Sequence, residues 1–204
     1  MIRILDKETL TNGIKHLKEA DEDLLLILEQ NNDSLNLFQR QKGFVGLINL
    51  IIEQQLSVAS AKAIFGRVQQ NITPFNAHNF YKLSENKLRN AGLSKQKIEY
   101  CKGIARAVIN KDLNFNYLNT LPDEKVVKCL TRFKGVGDWT ANCYLLACLS
   151  RADAWPSTDL GIQVSIQRLK KLRMKPNKLT TEKIAEPWKP FRSIAALLLW
   201  STYD

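Results

Sequence analysis

A turn that contains two glycines, followed downstream by a single carboxylate, holds the residues best suited to chemistry in this chain. Positions 133–141 read Phe-Lys-Gly-Val-Gly-Asp-Trp-Thr-Ala, and Asp159 follows a short Pro-Ser-Thr turn. Because Gly135 and Gly137 lack a Cβ, the chain can turn sharply between two helices and bring backbone N–H groups against a bulky anion. The next helix adds unpaired N–H groups and the positive end of its dipole. This pattern suggests a phosphate-binding turn at residues 133–141, called the phosphate grip below, followed by an acid group at Asp159.

Each of these features also has an ordinary structural explanation. The glycine turn alone fits a plain helical hairpin equally well. Asp159, expected in the first helical turn after residues 157–158, is a common helix-start residue that the helix dipole stabilises, and on the residues alone this role is favoured. Asp138 is expected to cap its helix, because a negative charge beside a phosphate grip does not suit catalysis. The flanking Arg132 and Lys134 favour a DNA phosphate as the ligand of the turn.

The four tryptophans are concentrated in the last third of the chain. Tryptophan is more often a core residue than a ligand platform. Aromatic faces nevertheless suit a flipped base, especially one made cationic by alkylation, because stacking and cation–π attraction act together. Both roles therefore stay open for Trp139, Trp155, Trp188 and Trp200.

Composition favours a polyanionic partner. The 204 residues include 30 Lys and Arg against 20 Asp and Glu, a net charge of +10, which suits nucleic acid or an anionic membrane surface. The longest apolar stretch, Phe44–Ile52, is interrupted by Asn49 and is too short to span a bilayer. The N-terminus lacks the apolar segment of a signal peptide. We therefore expect an intracellular, non-secreted protein without a membrane partner, and nucleic acid as the polyanion.

The metal-ligating residue types do not form a recognisable site. His16 and His78 are far apart, and neither has a ligand neighbour at helical spacing. The cysteines contain no Cys-x-x-Cys pair and are expected to be reduced core residues without an iron–sulfur cluster or zinc site. They are Cys101, Cys129, Cys143 and Cys148.

Helical periodicity dominates the sequence, which predicts an all-α fold. Start signals stand at Ser94, at Pro122 and at residues 157–158. After its first turn, the helix predicted to begin at Asp138 is almost wholly apolar, so it should be a buried rod with one exposed, positively polarised tip. The predicted helices cover residues 7–20, 22–30, 43–54, 57–70, 77–83, 85–91, 95–109, 123–132, 138–149, 158–172, 181–186 and 190–201, with a flexible loop at 170–178.

Several blocks in a fixed order make the chain resemble the helix-hairpin-helix (HhH-GPD) DNA glycosylase superfamily, and in particular its DNA-3-methyladenine glycosylase II branch. The strongest block is the 133–141 turn with Asp159 downstream. Supporting blocks are Gly-Phe-Val-Gly-Leu at 43–47 leading to Glu-Gln-Gln-Leu-Ser at 53–57, Ala-Gly-Leu-Ser at 91–94 leading to Lys97, and Trp-Lys-Pro-Phe-Arg-Ser at 188–193 leading to Trp200. The resemblance extends over nearly the whole chain.

The resemblance implies a two-lobed all-α fold with the active-site cleft between the lobes. Residues 1–204 would form a single catalytic unit, with a central lobe at about 57–149 and a second lobe from 1–56 and 150–204. The phosphate grip would contact DNA through Gly135, Val136, Gly137 and Thr140, with Lys134 beside them. Backbone carbonyls would also hold a monovalent Na⁺ or K⁺ at Thr131, Phe133 and Val136.

The resemblance also assigns chemistry. Asp159 matches the catalytic aspartate of the family, which reverses the interpretation of that residue as a mere helix start. Its ionised carboxylate would stabilise the positive charge that develops on the sugar and help to direct water to the anomeric carbon. Trp139 stands where bifunctional members carry the lysine that forms a Schiff base with the sugar. A monofunctional enzyme without AP lyase activity is therefore implied.

Base recognition is implied less completely. Trp139 and Trp200 fall on aromatic positions of the branch and become candidates for the wall of the base pocket. A further aromatic position falls on Cys143, so Tyr144 next to it is the third candidate. Gln55 or Leu56 would enter the duplex and fill the vacated stack, because unstacking a base costs a few kcal/mol, and the choice between them stays open. Ser57, the last residue of this wedge turn (residues 55–57), is a further candidate for DNA binding.

The function implied is that of a monofunctional DNA glycosylase of base excision repair. It would act as a monomer on double-stranded DNA that contains damaged bases, without a required cofactor. Alkylated purines such as 3-methyladenine and 7-methylguanine are the expected substrates, because their positive charge already weakens the glycosidic bond. The alternatives are a non-catalytic helix-hairpin-helix module that recognises DNA structure, and a glycosylase for oxidised or mismatched bases.

Overall fold

The computed structural model describes residues 2–30, 35 and 37–203. The described residues form α-helices, one π-helix and one 3-10 turn, and their only β-type pairing is an isolated bridge between Ile4 and Arg151. The predicted all-α fold is therefore confirmed. None of the helices in these ranges has the length and apolar character needed to cross a membrane.

The helices are numbered in chain order. They are α1 (Lys7–Ala20), α2 (Glu22–Gln30), α3 (Phe44–Glu53), α4 (Val58–Gln70), α5 (Ala77–Lys82), α6 (Glu85–Asn90), α7 (Lys95–Ile109), α8 (Phe115–Leu118), α9 (Asp123–Leu130), α10 (Asp138–Cys143), α11 (Leu160–Leu169), α12 (Lys178–Ile184) and α13 (Arg192–Ser201). A π-helix, Tyr144–Cys148, continues α10, and a 3-10 turn, Glu186–Trp188, precedes α13.

Polar side chains fix where many of these helices begin. Each accepts a hydrogen bond from the backbone N–H three residues further on, which satisfies one of the unpaired donors of the first turn. The predicted starts at Ser94 and Pro122 are confirmed. The caps that bond in this way are Asp6, Ser57, Asn76, Ser84, Ser94, Asn114, Asp159 and Asn177.

Helix α11 begins at Leu160, slightly later than the predicted start at Thr158, and Asp159 is its cap rather than a residue of its first turn. The chain before it forms a turn in which the Asp159 N–H donates to the Pro156 carbonyl at 2.9 Å. Two further differences are α8, whose four residues are too few to show a helical period, and α12, which begins earlier than predicted because Asn177 caps it.

One compact unit of the structure consists of residues 40–144. Its core is α3, whose Leu47, Ile48 and Leu50 side chains are fully buried. Helix α3 packs against α4, α7 and α10, and α5 packs along α7. The unit thus begins at Arg40, earlier than the predicted lobe limit near residue 57, because the apolar helix α3 packs with the helices that follow it.

The other compact unit combines residues up to 39 with residues from 145 onwards. Helix α1 packs against α2 and α13, and α11 packs against α13. Trp155 and Trp188 belong to this core, with ring centroids 5.5 Å apart in an edge-to-face arrangement. The indole N–H of Trp188 donates to Asp21 Oδ2 at 2.9 Å. These two tryptophans therefore have the core role that was left open for them.

Candidate active site and DNA-binding turns

The carboxylate of Asp159 is held by two elements of one unit. Its Oδ1 accepts hydrogen bonds from the backbone N–H of Ile162 in α11 and from the indole Nε1–H of Trp200 in α13, both at 2.9 Å. The carboxylate also stands at the positive end of the α11 dipole, where negative charge is favoured. The orientation of the acid is thus fixed when this unit folds, and the side chain is only partly buried.

Two further aromatic side chains lie close to the residues that hold this acid. The Trp200 ring meets the Phe38 ring edge-to-face, with centroids 5.4 Å apart. A Cβ on Gly161 would lie 3.2 Å from Asp159 Oδ1 and 3.3 Å from the Tyr203 ring, so the glycine leaves room for both. Sequence reasoning identified Asp159 and Trp200 but missed Phe38 and Tyr203, since neither lies in a motif block and no spacing signals them.

The two glycines of the phosphate grip have different structural roles. Gly135 has φ +88°, and a Cβ there would collide with the ring of Tyr100. Gly137 has φ −95°, and a Cβ there would meet nothing within 4 Å. The expectation that both glycines permit the turn is therefore right for Gly135 alone. The missing side chain at Gly137 instead leaves the start of α10 open to an approaching group.

Some backbone N–H groups of the phosphate grip bond within the turn, and others lie at the start of α10. The Val136 N–H donates to the Phe133 carbonyl at 3.0 Å, and the first bond of α10 runs from Ala141 N–H to the Gly137 carbonyl at 3.0 Å. The N–H groups from Gly137 to Thr140 precede that first bond, as at any helix start. Val136 and Thr140 are buried, with 4% and 1% of each residue exposed. Their side chains are therefore not available to contact DNA.

The wedge turn follows the end of α3. Gln55 has φ +55°, and Gln55, Leu56 and Ser57 are all exposed. The Ser57 hydroxyl is engaged as the cap of α4, where it accepts from the Ser60 N–H at 3.3 Å. Exposed apolar surface here extends to Val58, whose exposure is 77%. Two protruding side chains, Gln55 and Leu56, remain candidates for the wedge.

Lys97 and Gln54 hold this turn in place. Both lie in the motif blocks of the sequence, which assigned them no role. The Lys97 ammonium donates to the carbonyls of Ile52 and Gln54, both at 2.7 Å, and partial burial lowers the pKa of Lys97. The Gln54 amide donates to the Gly135 carbonyl at 2.9 Å and to Thr140 Oγ1 at 2.8 Å. The structure therefore brings the wedge turn and the phosphate grip together within one unit.

The remaining predicted site residues differ in accessibility. Tyr144 is fully buried and its hydroxyl accepts from the Gly43 N–H at 3.0 Å, which is the environment of a structural residue. Trp139 lies in the first turn of α10 and is partly exposed. Lys134 is exposed and forms an ion pair with Glu99 at 2.8 Å, and the hydrogen bond from this ammonium to Glu99 raises the pKa of Lys134.

The carbonyls predicted to hold a monovalent cation lie in the turn between α9 and α10. Carbonyl oxygens are ligands that suit such cations. The Phe133 carbonyl accepts one hydrogen bond, from the Val136 N–H, and a carbonyl has a second lone pair. The Phe133 carbonyl can therefore accept a cation as well, and a Na⁺ or K⁺ site at Thr131, Phe133 and Val136 stays a prediction. Across the described ranges, no three His, Cys, Asp or Glu side chains are grouped as a metal site.

Proteins that are similar in sequence and in structure are DNA repair enzymes by name. A family model described as HhH-GPD superfamily base excision DNA repair protein matches residues 48–190. DNA-3-methyladenine glycosylase 1 of Schizosaccharomyces pombe is 31% identical over 203 residues, which are 95% of this chain and 88% of that protein.

Solved structures agree with this similarity over most of the chain. The structure of the Schizosaccharomyces pombe 3-methyladenine DNA glycosylase (Mag1) in complex with abasic DNA has a TM-score of 0.85 at 27% identity, covering 94% of this chain and 96% of that one. DNA-3-methyladenine glycosidase from Bacillus halodurans has a TM-score of 0.78 at 30% identity, covering 94% and 89%. The chain belongs to the HhH-GPD superfamily of base excision DNA repair proteins, as its sequence motifs predicted.

Proposed function

We propose that this protein is a monofunctional DNA glycosylase that hydrolyses the N-glycosidic bond of alkylated purines, of the 3-methyladenine and 7-methylguanine class. The observation that carries the proposal is the Asp159 carboxylate, oriented by the Ile162 N–H and by the indole of Trp200, on which Phe38 packs. The names of the similar glycosylases support the same substrate class. A carboxylate set among aromatic groups suits a cationic base on a sugar that becomes positive as the base departs.

The proposed reaction is a hydrolysis at the anomeric carbon. The bond between this carbon and the base nitrogen breaks, and the base leaves with the electron pair, so a cationic alkylated purine departs neutral. Asp159 stabilises the positive charge on the sugar and orients a water molecule, whose oxygen forms the new bond to the anomeric carbon. The water proton passes to the carboxylate or to solvent. The products are free base and an abasic site in an unbroken strand.

DNA recognition is assigned to the two turns of the 40–144 unit and to the aromatic side chains. The N–H groups at the start of α10 would bind a backbone phosphate, with Lys134 nearby. Gln55 or Leu56 would fill the space that the flipped nucleotide leaves. Trp139 and Trp200 are each proposed to contact the flipped base, whereas the burial of Tyr144 favours a structural role for it.

A monovalent cation at the carbonyls of Thr131, Phe133 and Val136 would place positive charge beside the bound phosphate. No cofactor is proposed for the hydrolysis itself. We propose that the protein acts inside the cell, as a monomer on double-stranded DNA.

Base release is the direct test. Purified protein is incubated with duplex DNA methylated by dimethyl sulfate, and the released bases are separated by chromatography. We expect 3-methyladenine and 7-methylguanine from the wild-type protein. Binding to the same DNA without release of any base would instead support a non-catalytic DNA-binding module, and release from oxidised or mismatched duplexes alone would move the protein to another substrate class.

The monofunctional assignment has a separate test. Since Trp139 stands where bifunctional relatives carry a nucleophilic lysine, the protein should form no Schiff base with the sugar. Borohydride reduction during turnover should leave protein and DNA unlinked, and the DNA strand should remain uncut until alkali is added. A covalent adduct trapped by borohydride would contradict the assignment.

A further inference from the structure

A single side chain connects the wedge turn to the phosphate grip. The Gln54 amide nitrogen donates both of its hydrogens, one to the Gly135 carbonyl in the turn before α10 at 2.9 Å and one to Thr140 Oγ1 in α10 at 2.8 Å. The two acceptors flank Gly137, where the open approach to the helix start lies. The hydroxyl of Thr140 is buried, so this contact is internal to the unit.

The main chain of Gln54 is fixed independently. Its carbonyl accepts from the Lys97 ammonium at 2.7 Å, and the same ammonium binds the Ile52 carbonyl at 2.7 Å. The Ile52 carbonyl lies in the last turn of α3 and the Gln54 carbonyl at its C-cap, where carbonyls without a partner in the helix require one. Gln55 follows at once with φ +55°. The conformation of the wedge turn is thus set at its base by Lys97, and its position against the grip is set by the Gln54 amide.

We propose that Gln54 is a positioning residue that couples phosphate binding at the grip to insertion of the wedge. The inference rests on the proposed DNA glycosylase function, because it gives both turns their ligands. A phosphate bound at the start of α10 fixes the positions of Gly135 and Thr140. The two hydrogen bonds from Gln54 to these residues then fix the positions of Gln55 and Leu56, which follow Gln54 in the chain. The wedge then enters the duplex at a set distance from the phosphate that is held.

A stability role alone predicts something different. If the Gln54 amide only stabilised the fold, its removal would lower the folded fraction without changing how two other sites interact. Coupling instead predicts that the effects of damaging the grip and the wedge depend on each other only while Gln54 is present. A double-mutant cycle measures this dependence.

The test uses binding to a duplex with a tetrahydrofuran abasic analogue and to the matched undamaged duplex. The grip is crowded by Gly137→Ala and the wedge is removed by the pair Gln55→Ala and Leu56→Ala. The measured quantity is the ratio of the affinities for the two duplexes. With Gln54 present, the factor by which the grip and wedge changes together lower this ratio should differ by about fivefold or more from the product of the factors for each change alone. In the Gln54→Met background, the two losses should simply multiply.

Controls separate coupling from folding. Gln70→Met, an exposed glutamine at the end of α4, should leave the fivefold coupling unchanged. Thermal melting should show that each variant is folded. If Gln54→Met does not fold, Thr140→Val and Thr140→Ser replace it, since valine removes the hydroxyl acceptor and serine keeps it, so only the valine variant should lose the coupling.

Two results would overturn the proposal. One is multiplicative losses in the protein that retains Gln54, and the other is coupling that persists in Gln54→Met or Thr140→Val. Base release from methylated DNA is measured on the same wild-type preparation. Since the tetrahydrofuran site cannot be hydrolysed, the binding result stands whether or not base is released, and failure of the proposed activity is distinguished from failure of the coupling.

Discussion

Replacing Asp159 by asparagine should remove the chemistry and leave the fold intact. Asparagine keeps a side-chain oxygen that can accept from the Ile162 N–H and the Trp200 indole, both now bonded at 2.9 Å. Asparagine and aspartate are also similar as helix caps. The variant therefore differs from the wild-type protein mainly by one negative charge, and its melting temperature should change little.

The size of the activity loss follows from that charge. A carboxylate about 4 Å from a developing positive charge stabilises it by about 4 kcal/mol at an effective dielectric constant of about 20. Since about 1.4 kcal/mol corresponds to a tenfold change in rate, Asp159→Asn should slow base release by about 10³-fold. Binding to a duplex with an abasic analogue should persist, because the phosphate contacts are made elsewhere in the chain.

Asp159→Ala separates the two roles of the residue. It removes the acceptor of two hydrogen bonds, each contributing about 1 kcal/mol. For a chain of this size, a loss of about 2 kcal/mol lowers the melting temperature by about 4–8 °C. The alanine variant should thus lose both stability and activity, whereas the asparagine variant should lose activity alone.

The assay is single-turnover release of 3-methyladenine, followed by chromatography, with melting curves and fluorescence anisotropy on the same preparations. Asp112→Asn, which removes an exposed carboxylate, is the charge-matched control and should change the rate by no more than about twofold. Release by Asp159→Asn within tenfold of the wild-type rate would refute the electrostatic role. Equal melting temperatures for the alanine and wild-type proteins would refute the capping role.

Three further predictions concern the phosphate grip and the thiols. Gly135→Ala should lower the melting temperature, because the position has φ +88° and no room for a Cβ. Gly137→Ala should melt like the wild-type protein and bind duplex DNA more weakly. A lower melting temperature for Gly137→Ala than for Gly135→Ala would contradict the roles assigned to the glycines. Lys134→Gln should reduce the slope of log affinity against log salt concentration by about one, because one phosphate contact is lost. The slope is measured by titrating duplex binding between low and moderate salt, and an unchanged slope would show that Lys134 does not contact DNA. Burial raises the pKa of Cys101 to about 12, so mass spectrometry after iodoacetamide treatment at pH 8 should find Cys101 unmodified until denaturant is added, and Cys129, which is partly exposed, should be modified first.

Features with a local cause could be predicted from the sequence. The helix after Ser94 begins where predicted, because a serine cap acts on an N–H only three residues away. The all-α fold and the motif order also followed from periodicity and from the blocks that carry the family resemblance. The start of α11 was placed too early, since the residues Pro156–Thr158 favour either a turn or a helix start and the sequence does not reveal which.

Features that depend on distant contacts could not be predicted from periodicity or spacing. The bond between Trp200 and Asp159 joins residues 41 positions apart, and only the family resemblance placed both near the chemistry. Phe38, which packs on Trp200, lies in an irregular segment without a pattern. The requirement for glycine at position 135 comes from the ring of Tyr100, a neighbour that the local sequence does not name, and the partners of the Gln54 amide are likewise set by packing.

The contact between Tyr203 and the helix that carries the acid affects how the protein should be handled. A Cβ on Gly161 would already touch both the Tyr203 ring and Asp159 Oδ1, so this ring and the carboxylate are close neighbours of the same glycine. A dye or cross-linker attached to the Tyr203 ring would therefore disturb the surroundings of the acid. Labels are better attached at exposed residues of the 40–144 unit, such as Lys111.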